Sequence, residues 1–170
     1  LFGPIATVGG VVHLVHQGIM KITLFFAAGN LAETLELHKV SELDGVGRRM
    51  PWTMGAFTSG ALGMMSAPPL AGFISEWYLG VGALAAGEPW VVAVLVASSL
   101  LNAAYFLPIV HRAWFRDPDR PWHERITGRW ETRPWLLLPP VMTAALVLAF
   151  GLFAGSVFSP LEWVQLIAAQ

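Results

Sequence analysis

The charges in this sequence are grouped, and the gaps between the groups constrain the fold more than any other feature. Lys and Arg number 10 and Asp and Glu 11 in 170 residues. One cluster runs from Glu33 to Arg49, and a second from Arg112 to Arg133. Between them lie uncharged apolar stretches at 50–75, 89–111 and 134–161, while 1–20 and 22–32 are separated by Lys21 alone. A helix needs about 20 apolar residues to cross a hydrocarbon core, and these stretches are long enough. A soluble helical bundle would need polar faces at helical spacing, and 89–110 and 135–158 have almost none. The sequence reads as an all-α integral membrane protein, a single membrane domain over 1–170.

Composition excludes other classes. Charged residues make up 12% of the chain, against about 25% in ordinary globular domains. The two signs nearly cancel, so the basic surplus a nucleic-acid partner needs is missing. There is no cysteine, which rules out disulfides, iron–sulfur ligation and thiolate chemistry within this stretch. The opening residue is Leu1, and Pro4 leads straight into an apolar stretch with no signal-peptide pattern. The expectation is the C-terminal part of a longer polytopic chain.

Four spans are predicted, at about 4–31, 52–86, 89–114 and 134–158. Proline opens the first, third and fourth, where its missing N–H costs nothing, and Pro139-Pro140 predicts a kink or late start in the fourth. As one straight helix, 52–86 would be ~52 Å long, too much for a ~30 Å core. In its middle stands Ser66-Ala67-Pro68-Pro69-Leu70-Ala71-Gly72. Pro68 and Pro69 remove two helix donors and Gly72 permits non-helical backbone, so a break is predicted at 66–72. The segment is either one broken span or a hairpin of two short ones. Loops 33–50 and 115–133 both carry basic residues, and the positive-inside rule puts both in the cytoplasm only if 52–86 crosses once. The broken single span is therefore the expectation, with both termini, Glu88 and Glu162 outside. Irregular backbone at membrane depth belongs where it is buried in protein or lines a wet cavity, and transporters place ion sites there.

Two charges remain at membrane depth. Lys21 lies near the centre of the first span and shares a face with His13 and Gln17, at i−8 and i−4, with His16 beside them. Glu76 follows Gly72 by one turn. A charge at the bilayer centre costs about 2.5–3.5 kcal/mol on insertion scales, so both are expected to work. Together they read as a proton relay of Lys21, Glu76, His13, His16 and Gln17, weighed against a static Lys21–Glu76 bridge that only holds helices together. In the third span Ser98, Ser99, Asn102 and Tyr105 mark one side, with Ser98, Asn102 and Tyr105 at helical spacing. Interhelical hydrogen bonding is the first reading for them; a secondary path through Asn102, Tyr105 and His111 is the other. His13 and His16 with Glu76 are a rival metal or haem set, although the HxxH spacing lacks the protease glutamate. No cofactor, metal site or catalytic nucleophile is predicted.

Three segments carry a resemblance. They are His13-Leu-Val-His-Gln-Gly-Ile-Met-Lys21-Ile-Thr-Leu-Phe-Phe-Ala-Ala-Gly29, Leu43-Asp-Gly-Val-Gly-Arg-Arg-Met-Pro51, and Ala67-Pro-Pro-Leu-Ala-Gly-Phe-Ile-Ser-Glu76. In this order they resemble the antiporter-like membrane subunits of respiratory complex I and of multisubunit (Mrp-type) monovalent-cation/proton antiporters. Within that family they are most similar to the D-type antiporter subunits and their complex-I-like relatives. The resemblance covers about residues 3–115. It implies a chain of about fourteen helices in two inverted repeats, each with a broken helix, of which these are the last four. It also implies a proton-translocating role beside sister subunits and lipid in a prokaryotic plasma membrane. That role is either monovalent-cation/proton antiport, with sodium or potassium as candidate cations, or complex-I-like proton pumping. The alternatives are a structural subunit with a vestigial channel and a stand-alone proton-coupled solute carrier. By match, Lys21 is the central proton-carrying lysine, His13 the first relay histidine and Glu76 the terminal charged group. Gln17 stands where the family has its second histidine, with His16 displaced by one residue, and Glu76 stands where many members have lysine.

Overall fold

The computed structural model describes residues 3–118, 121–122, 124–125 and 130–168. Arg120 and Arg129, two of the arginines assigned to the second basic loop, lie outside them. Seven α-helices are described: α1 Pro4–Leu35, α2 Val46–Arg49, α3 Pro51–Met64, α4 Ala71–Ala85, α5 Trp90–Phe115, α6 Pro134–Leu152 and α7 Pro160–Ala168. Three of these, α1, α5 and α6, are long and apolar enough to cross a membrane.

Helix α1 begins on Pro4 and outlasts the expected end at 31 by one turn. It stops where Glu36 turns left-handed (φ 55°) and returns its N–H to the Ala32 carbonyl at 3.1 Å, a common terminal geometry. The expected fourth span is shorter than read. Helix α6 ends at Leu152, and turns over 153–159 lead into α7. No late start occurs at its prolines, because α6 begins at Pro134 and runs through Pro139 and Pro140. Both prolines lie in the first two turns, so the donors they withhold are near the loop end rather than mid-helix.

The break falls at 65–70, not 66–72. Helix α3 ends in a Schellman turn: Ser66 is left-handed (φ 56°), its N–H meets the Gly63 carbonyl at 3.0 Å, and the Ala67 N–H meets the Leu62 carbonyl at 3.0 Å. Pro68 and Pro69 follow, and neither has the N–H needed to continue the helix. Helix α4 resumes at Ala71, so Gly72 is helical and buried rather than part of the irregular backbone. What Gly72 supplies is room, because a Cβ there would collide with the Gly63 carbonyl oxygen. The break is closed from a second side by α6, where a Cβ on Gly151 would collide with the Pro69 carbonyl oxygen.

Contacts along α1 order the two half-helices. Asn30 meets Thr53, Leu24 meets Gly60, Met20 meets both Gly63 and Gly72, His13 meets Ser75, Gly9 meets Leu79 and Ala6 meets Gly82. Position on α1 falls steadily as position on α3 and then α4 rises. The two therefore lie end to end, antiparallel to one helix, with fully buried Met20 at the junction. A hairpin would have reversed the order after the prolines. At the far end α7 folds back, setting Leu161 and Val164 against Val8, Val12, Ile74 and Tyr78.

Candidate functional site

Ending α3 at Met64 frees carbonyls that a continuous helix would have bonded. One of them, on Met64, accepts Asn102 Nδ2 of α5 at 3.0 Å. One turn before Asn102, Ser99 donates its Oγ hydrogen to Glu76 Oε2 at 2.9 Å and lies 3.5 Å from Ser66 Oγ in the break itself. The break thus brings together groups from three segments: Ser66 and Met64, Glu76, and the Ser99–Asn102 edge of α5. Glu76 is partly buried, at the polar end of a groove of about 400 Å³ whose other walls include Phe73, Trp77 and Leu84.

Lys21 stands on the other side of the junction. It lines a second groove, of about 580 Å³, among Met64, Phe57, Tyr105, Phe106 and Ile109, which extends to His38 and Lys39 in the loop after α1. Met64 is shared, since its side chain lines the Lys21 groove while its carbonyl holds Asn102. Among the described residues no ion pair includes Lys21 or Glu76. The static bridge weighed from sequence is not formed.

The other relay candidates divide. His13 Nδ1 lies 3.0 Å from Ser75 Oγ, so α1 is tied to the residue next to Glu76. His16 does not join that line. It is fully buried and stacks on Phe150 of α6 at 5.9 Å between ring centroids. The His16 ring lies against the Ala71 backbone but makes no hydrogen bond of good geometry there, and the Gln17 Oε1 has no partner among the described residues. Buried polar atoms are seldom left so, and ordered water is the usual partner. Among the described residues no three of the His, Asp and Glu side chains are grouped so that they could hold a metal ion.

On α5 the two serines named on the expected side divide. Ser98 is exposed, and Ser99 is the serine that reaches Glu76. The spacing of 99 to 102 is as helical as 98 to 102, and only the direction of α4 separates them. Tyr105 is exposed at the Lys21 groove, and His111 is exposed and stacked on Phe115. Neither bonds to Asn102. Sequence reading missed Ser75, whose sole signal was adjacency to Glu76. At the mouth of the Lys21 groove, the Glu42 carboxylate accepts the backbone N–H groups of His38 and Lys39 at 3.0 and 3.1 Å. Those two bonds hold it below the usual carboxylate range.

Residues 3–102, which contain His13, Lys21, Ser66, Glu76, Ser99 and Asn102, match the transmembrane family described as NADH:quinone oxidoreductase/Mrp antiporter. The chain belongs to that family. Over 117 residues it is 41% identical to NADH-quinone oxidoreductase subunit N of Desulforudis audaxviator, covering 69% of this chain and 23% of that one. It is 28% identical to the D subunit of the Na(+)/H(+) antiporter of Bacillus subtilis over 95% of this chain and 31% of that one. A chain of the Mrp complex from Dietzia superimposes with a TM-score of 0.84 at 25% identity, over 99% of this chain and 38% of that one. The chain spans less than two fifths of the length of each of these relatives.

Proposed function

We propose that this chain is part of a proton-translocating, antiporter-like subunit of a multisubunit membrane complex. The observation that carries the reading is the interrupted helix pair lying end to end along α1, with Lys21 on one side of the gap and the Ser99–Glu76 pair on the other. Lys21 is exposed in its groove and Glu76 is partly buried, and among the described residues neither is locked in an ion pair, which leaves both able to take part in proton transfer. Lys21 carries the proton between the cytoplasmic groove and the break. Ser66, Ser99 and water around the Met64 carbonyl bridge to Glu76, which passes it outward or to a neighbouring subunit. His13 and Ser75 brace the Glu76 end, and His16 with Gln17 holds water beside α6.

In this reading α3 and α4 are one discontinuous span. With α1, α5 and α6 they make the four spans, the second of them broken, of a second inverted repeat in a subunit of about fourteen helices. The loops at 33–50 and 115–133 face the cytoplasm of a prokaryotic cell. The partners are sister antiporter-like subunits and lipid, and the exchanged cation is sodium or potassium. Relatives named as a sodium/proton antiporter subunit and as a quinone oxidoreductase subunit support the class. Proton flux into vesicles containing the full complex tests it. Lys21→Ala is expected to abolish flux in assembled complex, and normal flux from that variant would overturn the proposal.

A further inference from the structure

The cytoplasmic end of α3 is held by a residue that neither the relay nor the break uses. Pro51 opens the helix and has no N–H, and Met50 before it offers no side-chain cap. The exposed donors of the first turn would need partners. They find them on Glu131, in the loop between α5 and α6. Glu131 Oε2 accepts the Trp52 N–H at 2.9 Å, and Oε1 accepts the Thr53 N–H at 2.7 Å and the Thr53 hydroxyl at 2.5 Å. The residue is only 7% exposed. No cation of the described residues lies in ion-pair range of its carboxylate. The negative charge is met by the positive end of α3 and, from beyond ion-pair range, by Arg49, whose Nη1 donates to the Glu131 carbonyl oxygen at 3.3 Å.

The contact continues into a closed ring. Thr53 gives its hydrogen to Glu131, so its oxygen accepts Asn30 Nδ2 of α1 at 2.7 Å. Asn30 Oδ1 then accepts the Thr34 hydroxyl at 3.0 Å, and Thr34, its one hydrogen used, accepts from Thr132 at 2.8 Å. Thr132 is the neighbour of Glu131 in sequence, which closes the circuit. Asn30, Thr34, Thr53 and Thr132 are all nearly or fully buried. The ring has one donor direction throughout and an amide in its middle, which does not hand a proton on. Its chemistry is that of a clasp between α1, α3 and the loop, not of a conducting wire.

We propose that Glu131 is a positioning residue for transport: it fixes the register of α3 on α1 and so places the break between Lys21 and Glu76. This rests on the proton-translocating reading given above. Helix α3 is a rigid rod of ~21 Å. A slip of one residue at Thr53 turns it by about 100°, taking Gly63 off Met20 and the Met64 carbonyl off Asn102.

The test uses the full subunit in its complex, in vesicles, with Glu131→Ala and Glu131→Gln. Proton flux is measured across pH, and hydrogen exchange is measured at the Trp52 and Thr53 amides. Glu131→Ala is expected to lower flux about tenfold and to speed exchange at both amides about tenfold, with the pH of half-maximal flux unchanged. Glu131→Gln keeps one carbonyl oxygen for the two Thr53 donors and is expected to retain a large part of both. Flux and amide protection must move together in every variant that assembles, so Glu131→Gln decides alone if the alanine variant does not. Parental flux with lost protection would overturn the proposal, as would lost flux with parental protection, which marks a proton carrier. Parental values of both in these variants would overturn it too. Failure of the transport reading shows separately, as normal flux in Lys21→Ala, and the exchange data still report whether Glu131 holds α3.

Discussion

The carbonyl oxygen of Gly63 faces Gly72 so closely that a Cβ on Gly72 would collide with it. This contact joins the last turn of α3 to the first turn of α4 across the prolines, and Met20 Sδ would lie 3.2 Å from the same Cβ. Neither the backbone carbonyl nor the tightly packed junction can yield without moving a half-helix. Gly72→Ala is therefore expected to destabilise the assembled subunit by about 1–3 kcal/mol and to reduce flux. Gly80→Ala on the same helix meets nothing within 4 Å and is expected to leave both unchanged. Thermal denaturation of the detergent-solubilised complex, alongside flux, distinguishes them.

The hydroxyl of Ser99 is the one side-chain donor found on Glu76 among the described residues. A hydrogen bond to a charged group contributes about 1.5–3 kcal/mol. Ser99→Ala is expected to cut flux by about tenfold or more on that ground. Ser98→Ala, one residue away and exposed, should match the parent. Equal effects from the two would place the Glu76 contact outside the transport path.

Lys21 is proposed to work by releasing its proton, so charge alone is not enough. Arginine keeps the charge and does not deprotonate in proteins. Lys21→Arg is expected to be as inactive as Lys21→Ala in vesicle assays, with complex assembly intact on native gels. Retained flux in Lys21→Arg would mean that Lys21 acts as a fixed charge.

Between α2 and the segment joining α5 to α6, Arg49 Nε lies 2.7 Å from Glu124 Oε1. That hydrogen bond holds the Glu124 carboxyl below its ordinary 4.5. A carboxylate whose pKa is lower folded than unfolded stabilises the fold above the unfolded value, and loses that contribution as pH falls through the folded one. Relative to Glu124→Gln, the parent complex is expected to lose thermal stability as pH drops below about 4.5. The difference should be flat from there to neutrality. The pair is partly exposed, so the effect is small and weakens with salt.

The apolar stretches, the proline break and the two charges at depth are all readable in order along the chain, because each depends on local composition or on backbone donors that proline lacks. The residues proposed for the site stand out for a similar reason: Lys21, Glu76 and His13 are polar groups set in apolar stretches. Gly72 stands out in the sequence for a purpose it does not serve, since a sequence shows that glycine frees the backbone and not that a carbonyl 9 residues earlier needs the space. The position of His16 along the chain groups it with the relay, and the rotation of α1 turns it toward Phe150 instead.

Sequence by itself determined that this chain is a helical membrane protein with an interrupted helix and charges kept inside it. Tertiary structure decided which groups meet. Ser99 rather than Ser98 reaches Glu76, Lys21 and Glu76 stand on opposite sides of the gap, and Glu131 closes on Thr53 from 78 residues away. The physical reason is that helix formation and membrane partition act on neighbours in sequence. Hydrogen bonds between helices depend instead on rotation and register, and those are set only when α1, α3, α4 and α5 pack together.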